Sequence, residues 1–485
     1  MAGEQDTTSP AMAGAEPNTY RLFLRAAEHA AAFRAELDTG PQRPDQTYAE
    51  ALAAFDVPTP EQGSAAEAVL DDLVRRATPG LHASAGRRFF GWVIGSSHPV
   101  GVAADWLTVA WGQNAGNHTA SPAAAACETV AARWLLEILD LPRNASVGFV
   151  TGATIANFVS LAAARGELLH RLGWDVEAKG LFGAPPLRVL IGAEAHSTVF
   201  SALQYLGLGQ ERVTKIAVDR QGAMLPEAFA QAMGEASADA GIIVITQAGQ
   251  INTGAFDPHV AIVAAAHAHQ NCWVHVDGAF GLWARACPSR ASLATGIEGA
   301  DSWATDGHKW LQTPYDCGYA IVRDAAAHRR AMTIAASYLP VVSDGERDPS
   351  HYVPELSRRA RGFATWAMLR YLGRDGVAEL VERHCRLARL MADLLGGEDG
   401  IAVLNDVVLN QAILRFGADE PVEIGDALTL KTIAAIQRDG TCFAGGARWQ
   451  GQWVMRLSVI GGETREADAR RSAAAIATIW CDLRP

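Results

Sequence analysis

The sequence predicts an α/β fold: a three-layer large domain with a mostly parallel sheet, followed by a smaller α+β domain. Short apolar runs rich in strand-forming residues, such as Ile242–Thr246 and Trp273–Val276, recur between residues 147 and 276. Longer runs with helical spacing of apolar residues, such as Ile155–Leu172, separate them. Because buried strands joined by helices are typical of parallel sheets, the alternation predicts helices on both faces of one sheet.

The first hundred residues predict an arm rather than a domain. Residues 1–18 are small and polar, with prolines at 10 and 17, so we expect a mobile leader there. Apolar residues recur at helical spacing over Tyr20–Arg34 and Glu67–Arg76, which predicts helices within a flap of residues 19–110.

The large domain is predicted to span residues 111–345. A helix over Ala123–Leu139 should end before Pro142, because proline cannot continue a helix. The alternation then comprises helices Ile155–Leu172 and Ser197–Leu206 and strands Val147–Val150, Arg188–Ile191, Lys215–Val218, Ile242–Thr246 and Trp273–Val276.

The small domain, residues 346–485, has a different order of elements. Turn signals at Asp344-Gly345 and Asp348-Pro349 mark its start. Helices Ser357–Leu372 and Val377–Leu395 come first, and strands Val407–Phe416 and Trp453–Val459 follow, so an α+β unit is predicted.

Composition narrows the classes of function. The 485 residues include 41 basic and 53 acidic side chains, a net charge of −12, without the Lys/Arg runs that nucleic-acid binding requires. The sequence lacks the apolar stretch of about 20 residues that spans a membrane and the pattern of a secretory signal. Seven scattered cysteines without CxxC spacing predict a reduced, cytoplasmic protein with neither a disulfide framework nor a metal site.

Primary amines are scarce. Of the 41 basic residues only four are lysines: Lys179, Lys215, Lys309 and Lys431. Lys309 lies among small and polar residues in the segment Ala300–Leu311. A lysine amine in such a loop can attack a carbonyl as a nucleophile, although a solvated or ion-paired lysine is the alternative.

Three further candidates follow predicted strands. Asp277 ends one strand, where a carboxylate can hold a pyridine nitrogen protonated or can simply cap a turn. The N–H groups of Ala153 and Thr154 begin a helix and can bind phosphate, although Thr154 can instead cap that helix. His196 can stack on an aromatic cofactor or have a structural role. Because parallel strands end at one sheet edge, these residues should converge with Lys309.

A series of short blocks between Phe89 and Asp375 strengthens this interpretation. In order they are His98-Pro99, Ala120-Ser121-Pro122, His196-Ser197, Gly254-Ala255-Phe256-Asp257-Pro258, Trp273-Val274-His275-Val276-Asp277, Ala300-Asp301-Ser302, His308-Lys309-Trp310-Leu311 and Ser357-Arg358-Arg359. In these blocks the sequence resembles the group II pyridoxal-phosphate-dependent amino-acid decarboxylases, which include aromatic-L-amino-acid and glutamate decarboxylases.

The resemblance implies a fold-type I homodimer with active sites at the subunit interface and pyridoxal 5′-phosphate as the cofactor. It implies decarboxylation of an L-amino acid to an amine and CO2 through a Schiff base at Lys309. The implied contacts with the cofactor are Asp277 at the pyridine nitrogen, His196 and Ala279 on the two ring faces, Thr246 near the ring, and Ala153, Thr154 and His308 at the phosphate.

The sequence departs from the family pattern in three places. Ile155 is unusual in the phosphate loop, and Gly307 replaces a frequent proline before His308. The third departure concerns the tyrosine that donates a proton in aromatic decarboxylases, because Pro349 lies at or near its position. Tyr352 is the predicted substitute, with Tyr338 as a second choice and a packing role for Tyr352 as the alternative.

Substrate choice is predicted from segments that line the pocket in relatives. Trp92, Trp111 and His118 are the predicted substrate residues, and their mixture of aromatic and polar groups favours an aromatic L-amino acid. Gly116 would leave room for a larger side chain. The alternative functions are another reaction with the same cofactor, namely aldehyde synthase, aldolase or aminotransferase, and a cofactor-binding homologue that acts by interaction.

Overall fold

The computed structural model describes residues 18–237, 239–333 and 346–484, and it confirms the predicted fold class. Its helices are α1 Thr19–Glu36, α2 Tyr48–Phe55, α3 Ala66–Ala77, α4 Pro99–Trp111, α5 Pro122–Ile138, α6 Ala153–Arg171, α7 Val176–Lys179, α8 Ser197–Tyr205, α9 Pro226–Gly234, α10 His259–His267, α11 Ala325–Met332, α12 Gly362–Gly396, α13 Val422–Asp439 and α14 Glu466–Leu483. Its strands are β1 Ser146–Val150, β2 Leu187–Gly192, β3 Thr214–Ile216, β4 Gly241–Gln247, β5 Cys272–Asp277, β6 Ser302–Asp306, β7 Gly318–Val322, β8 Ile401–Val403, β9 Gln411–Phe416, β10 Gly445–Trp449 and β11 Gln452–Ser458.

The large sheet has seven strands in the order β1-β7-β6-β5-β4-β2-β3. All neighbours pair in parallel except β7, which runs antiparallel to both β1 and β6. Helices α6, α8 and α11 cover one face, and helices α5, α9 and α10 cover the other. The central strands β4 and β5 are buried along their whole length, which explains their apolar runs Ile242–Ile245 and Cys272–Val274.

The smaller sheet has four antiparallel strands in the order β10-β11-β9-β8. Helices α13 and α14 and the second half of α12 pack against it. Helix α12 is kinked at Gly373, which has a φ of 63°. Its first half packs on α4 and α5, so this one helix joins the two parts of the chain.

Several elements escaped the prediction from sequence. Strand β6 contains Ser302, Thr305 and Asp306, which are all buried, so its pattern did not resemble an apolar strand. Partners within the sheet satisfy such polar groups: Ser302 Oγ accepts a hydrogen bond from Trp273 Nε1 at 2.8 Å. The two helices predicted after residue 357 are the halves of α12, which begins later, at Gly362.

The predicted arm contains α1 to α4. No residue of α1, α2 or α3 is fully buried. Residues 1–17 of the predicted leader lie outside the described residues, and the domain limits stay predictions. No helix of the described residues combines the length and the hydropathy needed to cross a membrane.

Candidate active site

The carboxyl ends of several strands of the large sheet meet around one cavity of about 380 Å³. Loops after β1, β2, β4, β5 and β6 line it, as expected for an open α/β sheet. The structure brings together most of the sequence-predicted site residues there, namely Trp92, Ala153, Thr154, His196, Asp277, Ala279, His308 and Lys309.

Lys309 lies in the loop that follows β6. Its side chain is 13% exposed, and its Nζ lies 3.0 Å from Asp306 Oδ2 and 5.7 Å from the centre of the Phe280 ring. The other three lysines are exposed at the protein surface. Lys309 is therefore the one lysine of the chain whose amine is held at the cavity.

Asp306 was not singled out from the sequence, yet it lies at the centre of this arrangement. Besides its contact with Lys309, its Oδ1 accepts a hydrogen bond from the backbone N–H of Ala153 at 2.6 Å. The His308 ring nitrogen Nε2 lies 3.7 Å from Asp306 Oδ2. The first N–H of α6 thus binds a carboxylate of the chain itself, and its predicted contact with a phosphate stays a prediction. Asp306 could have been found from the sequence by its position at the end of β6, three residues before Lys309.

Asp277 ends β5 and is 6% exposed. Its Oδ1 accepts the backbone N–H of Ala279 at 3.3 Å. Burial raises the pKa of Asp277, and the charges of His196 and Lys309 oppose that rise. A cationic group beside this carboxylate would therefore be strongly favoured.

His196 precedes α8 and caps its N-terminus. Its Nδ1 accepts the Thr198 N–H at 3.3 Å, so the neutral ring carries its proton on Nε2. Burial lowers the pKa of His196; the negative charge of Asp277 opposes this effect, and the positive charges of Lys309 and Arg456 add to it. Burial also lowers the pKa of His308, whose Nδ1 donates to the carbonyl oxygen of Cys317 at 2.8 Å. Both imidazoles are neutral at neutral pH.

Comparison with known proteins now assigns a family. The model of the pyridoxal-dependent decarboxylase conserved domain matches residues 49–415. The chain belongs to the pyridoxal-dependent decarboxylases.

Two relatives and one solved structure illustrate the likeness. Tryptophan decarboxylase 1 of Oryza sativa subsp. japonica is 28% identical over 433 residues, which cover 84% of this chain and 82% of the relative. L-2,4-diaminobutyrate decarboxylase of Rhizobium meliloti is 29% identical over 417 residues, 83% of this chain and 80% of the relative. The crystal structure of Oryza sativa TDC with PLP and tryptamine superposes with a TM-score of 0.89 at 23% identity, covering 99% of this chain and all of that one.

The residues at the cavity fit pyridoxal 5′-phosphate, the cofactor of this family. An amine for its aldehyde and a buried carboxylate for its ring nitrogen lie on one cavity. Gly152, the N-cap of the 19-residue helix α6, has no side chain to cap it, and the first N–H of the helix, that of Ala153, instead binds the Asp306 carboxylate. This N-terminus therefore binds an anionic oxygen, as a phosphate site requires. A Cβ at Gly152 would lie 3.3 Å from Asp306 Oδ1 and 3.4 Å from His308 Cε1, so a glycine keeps this approach open.

Three predicted residues of this decarboxylase lie away from its cavity. Thr246 is fully buried in β4 with its hydroxyl directed at the His275 carbonyl oxygen, 3.4 Å away. Trp111 ends α4 and packs edge-on against Phe363. His118 Nδ1 lies 2.6 Å from Asp348 Oδ1. The structure does not bring these three to the site within one chain.

Tyr352 also lies outside the cavity, which does not support its predicted role as proton donor. It is 8% exposed and packs edge-on against the His328 ring. The Arg347 guanidinium lies 4.5 Å from its ring centre, and Arg329 Nη1 lies 3.4 Å from its hydroxyl. These contacts match the packing role considered as the alternative. Tyr338 lies outside the described residues.

Sequence reasoning missed other members of the cavity wall. Phe280, Gln247, Ile251 and Tyr315 line it. Arg456 of β11 is largely buried near His196, and its Nη1 donates to Asn252 Oδ1 at 3.2 Å. Arg456 could have been found as the one charged residue within the mostly apolar segment Trp453–Val459. No comparable signal marked Ile251 or Gln247.

Proposed function

We propose that this decarboxylase acts on an L-amino acid, with an aromatic side chain favoured, and releases the amine and CO2. The observation that carries the proposal is the joint placement of Lys309 and Asp277 on one cavity that also has Trp92 in its wall. When bound, pyridoxal phosphate supplies an electron sink for the electron pair that CO2 leaves behind.

Each cavity residue has a role in this proposal. Lys309 would bind the cofactor aldehyde covalently, and Asp277 would keep the ring nitrogen protonated. His196 would stack on one ring face, with Ala279 against the other. The N–H groups of Ala153 and Thr154, together with His308, would bind the phosphate, which would replace Asp306 as the partner of the Ala153 N–H. With the cofactor held by these groups, the remaining task of the protein is to orient the Cα–carboxylate bond of the substrate. This is catalysis by positioning.

The aromatic preference rests on the walls of the cavity. Trp92 packs on Phe443, with ring centres 5.0 Å apart, and on Phe89 at 5.8 Å. Phe280 also lines the cavity, and the centre of its ring lies 5.7 Å from Lys309 Nζ. An aromatic substrate side chain gains contact area and favourable ring geometry against such residues.

We further propose a homodimer with active sites at the subunit interface. Helix α4 exposes Trp106, Leu107, Val109 and Trp111, a run of large apolar side chains that a second copy would cover. Trp111 and His118 do not reach their own cavity, so in this proposal they contribute to the cavity of the partner.

A cytoplasmic location completes the proposal. All seven cysteines are free thiols, and Cys272, Cys287, Cys317, Cys385 and Cys442 are buried. Reduced thiols are the normal state of cysteines in the cytoplasm.

The test is a panel of L-amino acids given to the purified protein with pyridoxal phosphate, with CO2, amines, aldehydes and oxo acids measured together by mass spectrometry. We expect CO2 and amine in equal amounts, with aromatic substrates ahead. Absence of CO2 from every substrate would refute the proposal. An aldehyde or oxo acid as the main product would favour the alternative reactions.

A further inference from the structure

Tyr315 is a cavity residue whose chemistry the proposed function does not use. It lies on the loop between β6 and β7, six residues after Lys309, and it lines the same cavity. Its ring packs on the His308 ring with centres 4.5 Å apart and an angle of 37° between the planes. Its hydroxyl donates to the carbonyl oxygen of Ile94 at 2.6 Å. Ile94 lines the cavity as well, so the phenol group is held at the cavity wall.

Decarboxylation to an amine needs an acid at this cavity. Once CO2 has left, the substrate Cα must receive a proton. Of the described cavity-lining side chains, the histidines His196 and His308 have lowered pKa values and are neutral at neutral pH. Threonine hydroxyls are poor acids. Among the described side chains that this chain itself places at the cavity, the groups that carry a transferable proton at neutral pH are Lys309, which is assigned to the cofactor, and Tyr315.

We propose that Tyr315 is the acid that protonates the substrate Cα, an inference that rests on the decarboxylase function proposed above. The Cα–carboxylate bond breaks and CO2 leaves without the bonding electron pair. A Cα–H bond then forms with the phenol proton of Tyr315, and the resulting phenolate regains a proton from water. Tyr315 is 52% exposed, so solvent can reach it for this return.

The environment of Tyr315 keeps its proton in place between turnovers. Partial burial of the phenol group at the cavity wall, with a smaller effect of the Asp306 charge, raises the pKa of Tyr315 well above its ordinary value. The hydroxyl therefore stays protonated throughout the neutral range. Tyr352, the donor predicted from sequence, lacks access to the cavity because it is packed under Arg347.

The test compares wild type with Tyr315→Phe, which removes the hydroxyl and keeps the ring. We expect amine formation to fall about 100-fold or more, the usual contribution of a general acid. The amount of CO2 released in the first turnover should equal that of wild type, so the ratio of CO2 to amine should rise. In air, dioxygen would oxidise the unprotonated Cα, and aldehyde, ammonia and hydrogen peroxide would account for the excess CO2.

Two controls separate this role from a structural one. Tyr205→Phe makes the same chemical change at an exposed tyrosine of α8 and should leave all products unchanged. Binding of pyridoxal phosphate to cofactor-free Tyr315→Phe, followed by absorbance, should equal that of wild type. A merely structural role would reduce cofactor binding and the CO2 burst together.

The outcomes are distinguishable. Wild type that releases no CO2 refutes the proposed function itself. Wild type that forms amine, with Tyr315→Phe at the same rate and product ratio, overturns the assignment of Tyr315. The assignment is also overturned if Tyr352→Phe changes the ratio of CO2 to amine and Tyr315→Phe does not.

Discussion

Replacing Glu128 by glutamine should destabilise the protein, because it removes the carboxylate that faces two buried guanidinium groups. Glu128 Oε1 lies 2.8 Å from Arg358 Nη2, and both side chains are only 1% exposed. Glu128 Oε2 lies 3.6 Å from Arg347 Nη1. Through Arg347 and Arg358, this carboxylate secures the residues that lead from 346 to helix α12.

The magnitude follows from how the charges are compensated. Breaking one partner of a buried ion pair costs about 3–5 kcal/mol, because the other charge stays buried. The N–H groups of Arg358 point to the carbonyl oxygens of Ala115 and Phe149, both 2.9 Å away, so its contact with Glu128 is mainly one of charge. Those hydrogen bonds survive in Glu128→Gln, and we therefore expect a loss near the lower limit, about 3 kcal/mol.

The assay is unfolding by urea, followed by circular dichroism and tryptophan fluorescence at neutral pH. Glu466→Gln is the matched control, because Glu466 forms exposed ion pairs with Arg386 and Arg470 and its loss should not be measurable. A loss below about 1 kcal/mol in Glu128→Gln would refute the reasoning.

Three further predictions follow from the site and the core. Borohydride reduction of the protein with bound cofactor should label Lys309 and none of the other lysines, as read by peptide mass spectrometry. Lys309→Ala should abolish both this label and turnover; a label on another lysine would contradict the assignment. Asp277→Asn should weaken cofactor binding, measured by absorbance titration, whereas Thr246→Val should not, because Thr246 lies outside the cavity; equal effects would count against the geometry. Burial lowers the pKa of His275 to about 3, from an ordinary value of 6.5 for histidine. Below about pH 6.5 the His275 side chain therefore binds a proton more readily in the unfolded chain than in the folded chain. Stability should therefore fall as pH decreases from about 6.5 toward 3, and His275→Gln should flatten that dependence in urea unfolding at pH 7 and pH 5; an unchanged slope would argue against it.

Much of the active site was accessible from the sequence because of how parallel sheets are connected. Asp277, His196 and the Ala153-Thr154 pair each follow a strand, and parallel strands end at the same edge. The residues that escaped prediction follow other rules. Strand β6 was hidden because Ser302, Thr305 and Asp306 are buried polar residues. Its pairing with β5 and β7, rather than an apolar pattern of its own, determines that β6 is a strand.

By itself the sequence determined the fold class, the family and the single lysine at the cavity, since these depend on periodicity, residue order and scarcity. Only the tertiary structure decided which of two adjacent residues faces the site. Successive side chains of a strand point to opposite faces, so Gln247 lines the cavity while Thr246 is buried beside it. The same holds for the tyrosines: Tyr315 reaches the cavity and Tyr352 does not, because packing against Arg347 and His328 sets the position of Tyr352. Such contacts join residues far apart in the chain, and local patterns do not encode them.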